Sequence, residues 1–232
     1  MSNPLVNTIK WNVIDRIGHL VLTNSPSNKM SVEFFREMGL VKELILQLPD
    51  LKAIIISSEG RHFSSGVDLD ELLHEISGHQ DATIFLQSNY NTLSFLETLP
   101  FPVISVITGV CLGSALEMAL FCHYRFCSEE AVLGLPETTF NLIPGIGGIP
   151  RFAALSGKAR ALEYILTGRT FDASKALELG IIDAIWPKKE MMERTTEFAG
   201  KLPEIYKKEM RKVYIDRYVG RKREGRKEEG RG

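Results

Sequence analysis

The sequence lacks the features that mark membrane, secreted and dinucleotide-binding proteins. No apolar run approaches the roughly 20 residues that a membrane-spanning helix needs. Residues 1–10 contain no basic region followed by an apolar stretch, so we predict no secretory signal and a cytoplasmic location. Neither a Walker A motif nor a GxGxxG motif is present, which argues against a nucleotide cofactor bound in the usual way.

Histidine and cysteine are scarce, and neither has the spacing of a metal site. The five histidines contain no HExxH pattern, and the three cysteines, Cys111, Cys122 and Cys127, form no CxxC pair. Reduced cysteines that are buried as small apolar residues are the simplest interpretation. We therefore predict neither a disulfide nor a metal.

The net charge of −1 conceals a basic C-terminal end. Residues 201–232 contain 12 Lys and Arg against 6 Asp and Glu, a net of +6, whereas residues 1–200 carry a net of −7. We divide the chain into a core domain over 1–200 and a basic helix with a charged, glycine-rich tail over 201–232. A solvated end is the simpler interpretation of this tail, so we expect no nucleic acid partner.

The hydrophobic pattern predicts helices that alternate with short buried strands. Residues 9–22 read as a hairpin, and helical spacing predicts a helix from the N-cap Ser31 to about Leu48. The apolar runs at 53–56 and 103–107 are typical of strands buried on both faces. Further strands are predicted near 124–127, 131–135 and 181–185, and helices over 81–99, 114–122 and most of 147–201, with an N-cap at Asp172. This alternation indicates an α/β fold.

Three segments place glycine where a strand or loop leads into a helix: 62–69, 109–117 and 135–148. Glycine lets the backbone turn sharply and approach a ligand closely. The first N–H groups of a helix lack partners within the helix and lie at its positive end. Two such N–H groups that converge on one oxygen would stabilise an enolate or an oxyanion.

Two glutamates belong to these segments. Glu117 lies three residues after Ser114, so its carboxylate shares a helix face with the Ser114 N–H, and the nearby helix start favours its ionised form. Glu137 follows the apolar residues 133–136. Two carboxyl groups in different surroundings are what paired general acid and general base catalysis requires.

The same segments resemble the motifs of the crotonase superfamily, the enoyl-CoA hydratase/isomerase family. FSSGVDL is similar to its F-x-x-G-x-D motif, and GVCLGSALEMAL to the glycine-rich motif that carries the first glutamate. LPETTFNLIPGIGGIPR resembles the segment with the second glutamate, and LTGRTFDASKALELGIIDAI resembles a fourth segment. All four occur in the family's order within roughly residues 9–200. The resemblance implies a spiral of ββα units with a C-terminal helical region, assembled as a homotrimer or a dimer of trimers.

The resemblance also implies roles for individual residues. The N–H groups of Val67 and Ser114 would form an oxyanion hole for the thioester carbonyl of an acyl-CoA. Glu117 and Glu137 would orient a water, deliver it to C3 and protonate C2. Coenzyme A, as part of the substrate and not a separate cofactor, would lie near a set of residues from the first half of the chain: Lys29, Arg61, Ser64, Ser65, Gly66, Asp68 and Gly113.

The sequence departs from the family pattern at two glycine positions. Ser114 stands where glycine is usual. The oxyanion donor at this position is a main-chain N–H, so a serine side chain does not remove the donor. Asn141 also replaces a common glycine, and asparagine tolerates the left-handed conformation. Asp68 has a second interpretation, as the cap of the helix that follows it.

Three functions stay open at this point. Both glutamates favour a hydratase that adds water across the C2=C3 bond of a 2-enoyl-CoA. An enoyl-CoA isomerase, or another enolate reaction in the same site, is the alternative, because many relatives keep one glutamate. A non-catalytic homologue that binds acyl-CoA is the third, motivated by Ser114 and by the single predicted C-terminal helix. Acyl specificity would depend on residues 70–95.

Overall fold

The computed structural model describes residues 7–78 and 82–202. The basic helix and tail predicted over 201–232 therefore lie, beyond their first two residues, outside the described part. In this part no helix is long and apolar enough to cross a membrane.

A six-stranded sheet forms the centre of the fold, in the order β1-β2-β3-β4-β6-β9. Its strands are β1 (Ile9–Ile14), β2 (Ile17–Leu22), β3 (Ala53–Ser58), β4 (Val103–Ile107), β6 (Tyr124–Ser128) and β9 (Ala184–Trp186). The first two strands form the predicted antiparallel hairpin, and every later neighbour is parallel. Parallel neighbours need crossover connections, which the helices supply.

A second sheet of three short strands lies beside the first. It contains β5 (Val110–Leu112), β7 (Val132–Gly134) and β8 (Phe171–Asp172), in the order β5-β7-β8. The chain passes from β4 to β5, and again from β6 to β7, so each turn contributes one strand to each sheet. A helical segment follows each such pair, which produces repeating ββα units.

Eight helices complete the described part: α1 (Val32–Leu46), α2 (Leu69–Gly78), α3 (Ala82–Ser94), α4 (Ser114–Phe121), α5 (Gly148–Ser156), α6 (Lys158–Thr167), α7 (Ala173–Glu178) and α8 (Met191–Lys201). Both predicted N-caps are confirmed. The Ser31 hydroxyl accepts a hydrogen bond from the Phe34 N–H at the start of α1, and the Asp172 carboxylate accepts one from the Lys175 N–H at the start of α7.

The prediction was wrong about several short elements. The last strand covers Ala184–Trp186, whereas the prediction placed it over 181–185. Ile181 is fully buried in the preceding loop, where its carbonyl accepts a hydrogen bond from Arg125, so its apolar character reflects burial without strand pairing. The prediction also missed β5 and β8, which are too short to show a periodicity.

Both faces of the central sheet are buried, as the apolar runs predicted. Along β3, Ile54 and Ile56 belong to the main hydrophobic cluster, whereas Ala53 and Ile55 belong to the cluster on the opposite face, beneath α8. This alternation follows from the two-residue period of a strand. Helix α4 is buried along its whole length, which explains why its sequence is apolar on all sides. The N-terminus of a buried helix thus lies inside the molecule.

A buried carboxylate fastens the start of the first strand to α1. The Glu37 side chain is fully buried and accepts hydrogen bonds from the Asn7 N–H, from the Thr8 N–H at 2.8 Å and from the Thr8 hydroxyl at 2.5 Å. Buried donors that lose their acceptor carry the full cost of desolvation.

We expect Glu37→Ala to lower the free energy of unfolding by about 2–4 kcal/mol, because it leaves three donors and a small cavity behind. Urea denaturation followed by circular dichroism measures this. The matched control is Glu43→Ala, an exposed glutamate on the same helix, which should change stability by about 0.5 kcal/mol or less. Equal effects of the two substitutions would contradict the assigned role of Glu37.

Candidate active site

A cavity of about 340 Å³ opens beside the N-terminus of α4. Its walls come from the Gly66 segment, from α2 and α3, and from the chain between β7 and α5. Most of the lining is apolar, and Glu117 and Glu137 both belong to it. A concave apolar site with a few convergent polar groups is the usual form of a ligand-binding pocket.

Gly66 lets two backbone segments approach each other closely at this cavity. Gly66 has a φ of +91°, and a Cβ there would lie 2.6 Å from the Leu112 carbonyl oxygen and 3.5 Å from the Ser114 nitrogen. Hydrogen bonds join the neighbouring residues: the Ser64 N–H donates to the Val110 carbonyl at 3.0 Å, and the Leu112 N–H donates to the Ser64 carbonyl at 3.2 Å. The segment that ends in Val67 is therefore fixed against the strand that ends before Ser114.

The N–H groups of Val67 and Ser114 have no acceptor in the described part of the chain. Ser114 is the first residue of α4, where an N–H has no partner within the helix. The left-handed turn before α4 is made by Gly113, with a φ of +55°, and Ser114 itself has a negative φ. The serine that replaces the usual glycine thus requires no backbone strain.

Glu117 is 1% exposed, and its Oε1 accepts hydrogen bonds from the Ile146 N–H at 2.9 Å and the Gly148 N–H at 2.8 Å. Burial raises the pKa of Glu117 to about 7, although both hydrogen bonds and the charge of Arg151 act in the opposite direction. The start of α4 was expected to favour the ionised form of this carboxyl, and burial acts against ionisation.

Glu137 begins a short 3₁₀ turn, Glu137–Phe140, on the other side of the cavity. Its Oε2 is buried and has no hydrogen-bond partner among the described residues. A Cβ on Gly113 would lie 3.2 Å from its Oε1, so the carboxyl lies over the turn that precedes α4. Burial, and then the nearby Glu117, raise the pKa of Glu137 to about 7. The pair is thus suited to exchange protons near neutral pH.

Arg151 supports the loop that holds Glu117, and the sequence reasoning missed this role. Its guanidinium lies 3.9 Å from the centre of the Phe121 ring, donates to the Gly147 carbonyl at 3.0 Å and pairs with Glu97. The one signal in the sequence was the position of Arg151 at the end of the third motif. Nothing in the sequence indicated Glu97 as the partner, because Glu97 lies in a different helical segment, far from Arg151 in the chain.

Of the remaining predicted residues, Ser65, Gly66 and Gly113 line the cavity, whereas its described lining does not include Lys29, Arg61, Ser64 or Asp68. The Ser64 hydroxyl is buried and accepts a hydrogen bond from the Gly66 N–H at 3.1 Å. The Lys29 ammonium pairs with Asp68 at 2.9 Å. Arg61 is exposed.

Asp68 has the structural role that its position suggested. Its Oδ1 accepts a hydrogen bond from the Asp70 N–H at 3.2 Å in the first turn of α2. The Lys29 side chain beside it lowers the pKa of Asp68. Among the described contacts, Asp68 therefore caps a helix and pairs with a lysine.

Similar left-handed geometry appears after the 3₁₀ turn that carries Glu137. Asn141 has a φ of +58°, which confirms that asparagine adopts a left-handed conformation at this position.

A cavity with two carboxyl groups whose pKa values are raised, beside two unbonded amides, is typical of an enzyme that moves protons. The family model described as enoyl-CoA hydratase/isomerase matches residues 15–224. The chain belongs to this family, within the crotonase superfamily.

Individual relatives agree with this assignment. A probable enoyl-CoA hydratase of Bacillus subtilis (strain 168) is 32% identical over 200 residues, which cover 86% of this chain and 77% of the relative. The enoyl-CoA hydratase structure from Geobacillus kaustophilus HTA426 is 30% identical, with a TM-score of 0.79 over 90% of this chain and 88% of that one. An enoyl-CoA hydratase/isomerase from Xanthobacter autotrophicus Py2, 23% identical, has the same fold, with a TM-score of 0.84 over 92% and 81% of the two chains. The predicted crotonase fold is confirmed.

The raised pKa values predict how stability depends on pH. Between about pH 4.5 and pH 7 the folded chain holds protons on Glu117 and Glu137 that the unfolded chain releases. The free energy of unfolding should therefore fall as the pH rises through this window, by up to about 3 kcal/mol for each carboxyl. This contribution is complete below about pH 4.5 and lost above about pH 7.

Urea denaturation at steps between pH 4.5 and pH 8 measures this dependence. Glu137→Gln should be more stable than the parent protein at pH 8 and should show a shallower slope. Glu193→Gln, at an exposed position of α8, is the control and should keep the parent slope. An unchanged slope in Glu137→Gln would show that its carboxyl titrates normally in the folded chain.

Proposed function

We propose that this protein is an enoyl-CoA hydratase, which adds water across the C2=C3 bond of a 2-enoyl-CoA thioester. The observation that carries the proposal is the presence of two carboxyl groups with pKa values near 7 on one cavity, next to two N–H groups without acceptors. An isolated buried carboxyl would suit many reactions. A pair that shares a site beside an oxyanion-binding position suits the addition of water to a conjugated thioester.

The thioester carbonyl would accept hydrogen bonds from the N–H groups of Val67 and Ser114. Attack of water at C3 moves the π electrons of the double bond onto the thioester and creates an enolate oxygen at this position. Two preorganised donors stabilise that charge, by about 3–4 kcal/mol each in comparable sites. The close backbone approach at Gly66 supports this role, because a Cβ there would lie only 3.5 Å from the Ser114 nitrogen.

The two carboxyl groups have surroundings that suit different steps. Glu117 accepts two N–H hydrogen bonds, which favour its ionised form over that of Glu137, whose Oε2 has no partner among the described residues. At neutral pH the pair would share one proton. Glu117 would remove a proton from the water as its oxygen bonds to C3, and Glu137 would give its proton to C2. The net reaction adds one water molecule.

An isomerase is the second candidate, favoured by the unpartnered Oε2 of Glu137. One carboxylate over the cavity would remove a proton from C2 of a 3-enoyl-CoA and return it to C4, through the same enolate. Both reactions need the two N–H donors, but isomerisation needs one carboxyl and no water.

Coenzyme A would extend from the cavity past Ser65 toward Lys29. The Lys29 ammonium would leave or share its pairing with Asp68 to meet a phosphate. For assembly we propose a homotrimer or a dimer of trimers. Exposed leucines on α6 support an interface, because Leu162 and Leu166 are 47% and 67% exposed. We also propose a cytoplasmic location.

Glu117→Gln and Glu137→Gln should each lower kcat for crotonyl-CoA hydration by about 10²–10⁴-fold, because each removes one proton-transfer group. Values of KM should change little, since glutamine keeps the shape of the cavity. Glu193→Gln serves again as the surface control. Unchanged turnover in both active-site variants would end the proposal of acid–base catalysis by this pair.

The same variants separate hydratase from isomerase when they are assayed with a 3-enoyl-CoA. A hydratase should lose activity on the 2-enoyl thioester in both variants. If Glu117→Gln retains double-bond migration while Glu137→Gln loses it, the one-base isomerase is the better description. Tight binding of acyl-CoA without turnover of either substrate would indicate a non-catalytic homologue.

Gly66→Ala tests the oxyanion donors. The new Cβ would meet the Leu112 carbonyl oxygen at 2.6 Å in a conformation that alanine rarely adopts, so the Val67 and Ser114 amides must separate. We expect kcat to fall by about 10²-fold. Gly39→Ala is the matched control, because a Cβ at Gly39 meets nothing within 4 Å. Full activity of Gly66→Ala would contradict the proposed donor pair.

A further inference from the structure

Asn89 is a buried amide on the wall of the cavity. It lies on α3, is 4% exposed, and belongs to the lining of the same pocket as Glu117. Its Nδ2 is shielded from solvent and has no hydrogen-bond partner in the described ranges, 7–78 and 82–202. Nothing in the proposed hydration mechanism uses this side chain.

The position of Asn89 follows from the way α3 packs. Residues 86, 89, 90 and 93 recur at helical spacing on one face of the helix. A Cβ on Gly145 would lie 3.0 Å from the Leu86 side chain, and the Tyr90 ring meets the Phe121 ring edge-on at 5.8 Å. This face of α3 therefore packs toward α4 and the loop that holds Glu117.

The other described lining residues from α2 and α3 are apolar: Leu69, Leu72, Phe85 and Leu86. A leucine has almost the shape of an asparagine and would remove a buried polar group that lacks a partner. The fold thus carries an amide on an otherwise apolar wall, at a cost in stability. Unsatisfied buried groups of this kind are rare and call for a partner that the protein itself does not provide.

The charges around the cavity limit what this partner is. The described lining contains no Lys, Arg or His, and it contains two carboxyl groups. An anionic group on a ligand would be left without a counter-ion in an apolar site that already repels it. A carboxamide presents both a donor and an acceptor, and its terminal torsion is broad, so either end turns readily toward the cavity. A neutral oxygen fits these conditions.

We propose that Asn89 binds a hydroxyl or carbonyl oxygen on the acyl chain, so that the preferred substrates are oxygenated acyl thioesters. The inference rests on the proposed function, since it places an acyl group in this cavity. It assigns Asn89 as a specificity-determining residue. A fully apolar acyl chain would enter the same cavity but leave the amide unpaired.

The test measures binding, so that it does not depend on turnover. Isothermal calorimetry would compare hexanoyl-CoA with hexanoyl-CoAs that carry one hydroxyl or oxo group at C4, C5 or C6. At least one oxygenated thioester should bind about tenfold more tightly than hexanoyl-CoA, the size of one good hydrogen bond to an otherwise unpaired group. Asn89→Leu should abolish this preference and raise the thermal midpoint of unfolding.

The control is Asn91→Leu, the same substitution at an exposed position two residues away on α3. This variant should keep the preference for the oxygenated thioester. If the parent protein binds all thioesters of the panel equally, the inference fails. It also fails if Asn89→Leu weakens the binding of every thioester by the same factor. The amide would then contribute to the shape of the cavity without binding an oxygen of the ligand.

Failure of the proposed function has a different signature. In that case crotonyl-CoA is not hydrated, while the oxygen preference and its loss in Asn89→Leu persist in the binding measurements. If hydration occurs but no oxygen preference exists, the specificity inference alone is overturned.

Discussion

The geometry of the site depends on one close approach between two backbone segments. At Gly66 the chain passes so near to the Leu112 carbonyl that a side chain would not fit, and hydrogen bonds from Ser64 to the same strand fix this distance. Because the strand continues directly into a buried helix, the same contact holds the Gly66 segment beside the first turn of that helix. The N–H groups of Val67 and Ser114, which lack acceptors among the described residues, belong to the main chain, so a serine at position 114 leaves them in place.

Burial of the carboxyl pair is costly, and several neighbours reduce that cost. Two amides at the start of α5 hold Glu117, and Arg151 holds the carbonyl of the residue between them while pairing with Glu97. A partly buried ion pair of this kind contributes little net stability by itself, but it orients the groups it touches. Here it fixes the loop on which the acidity of Glu117 depends. The contacts that stabilise this loop are therefore also the contacts on which the proton affinity of Glu117 depends.

The sequence predicted the large elements and marked residues that line the cavity, among them Glu117 and Glu137, because each of these carried a local signal. The apolar run of β3, the caps Ser31 and Asp172, and the glycine junctions were all readable from spacing. Features that depend on contacts between segments far apart in the chain could not be predicted from spacing. The raised pKa of Glu117 could not be predicted, because helix position is a local feature, whereas burial is set by the whole fold. Arg151 lies at the end of the third motif, but nothing in the sequence indicates that Glu97 is its partner. Asn89 resembles any other polar residue on a predicted helix.

Enclosure of the carboxyl pair has a consequence for ligand binding itself. An acyl chain that fills the cavity would exclude water from two groups that are already poorly hydrated, and this would strengthen their hold on the shared proton. Binding near neutral or mildly alkaline pH would then draw a proton from the solution. The heat of binding would vary with the ionisation enthalpy of the buffer, and its absence would show that the cavity stays hydrated when occupied. Through this linkage the ligand would help to set the protonation state that its own reaction requires.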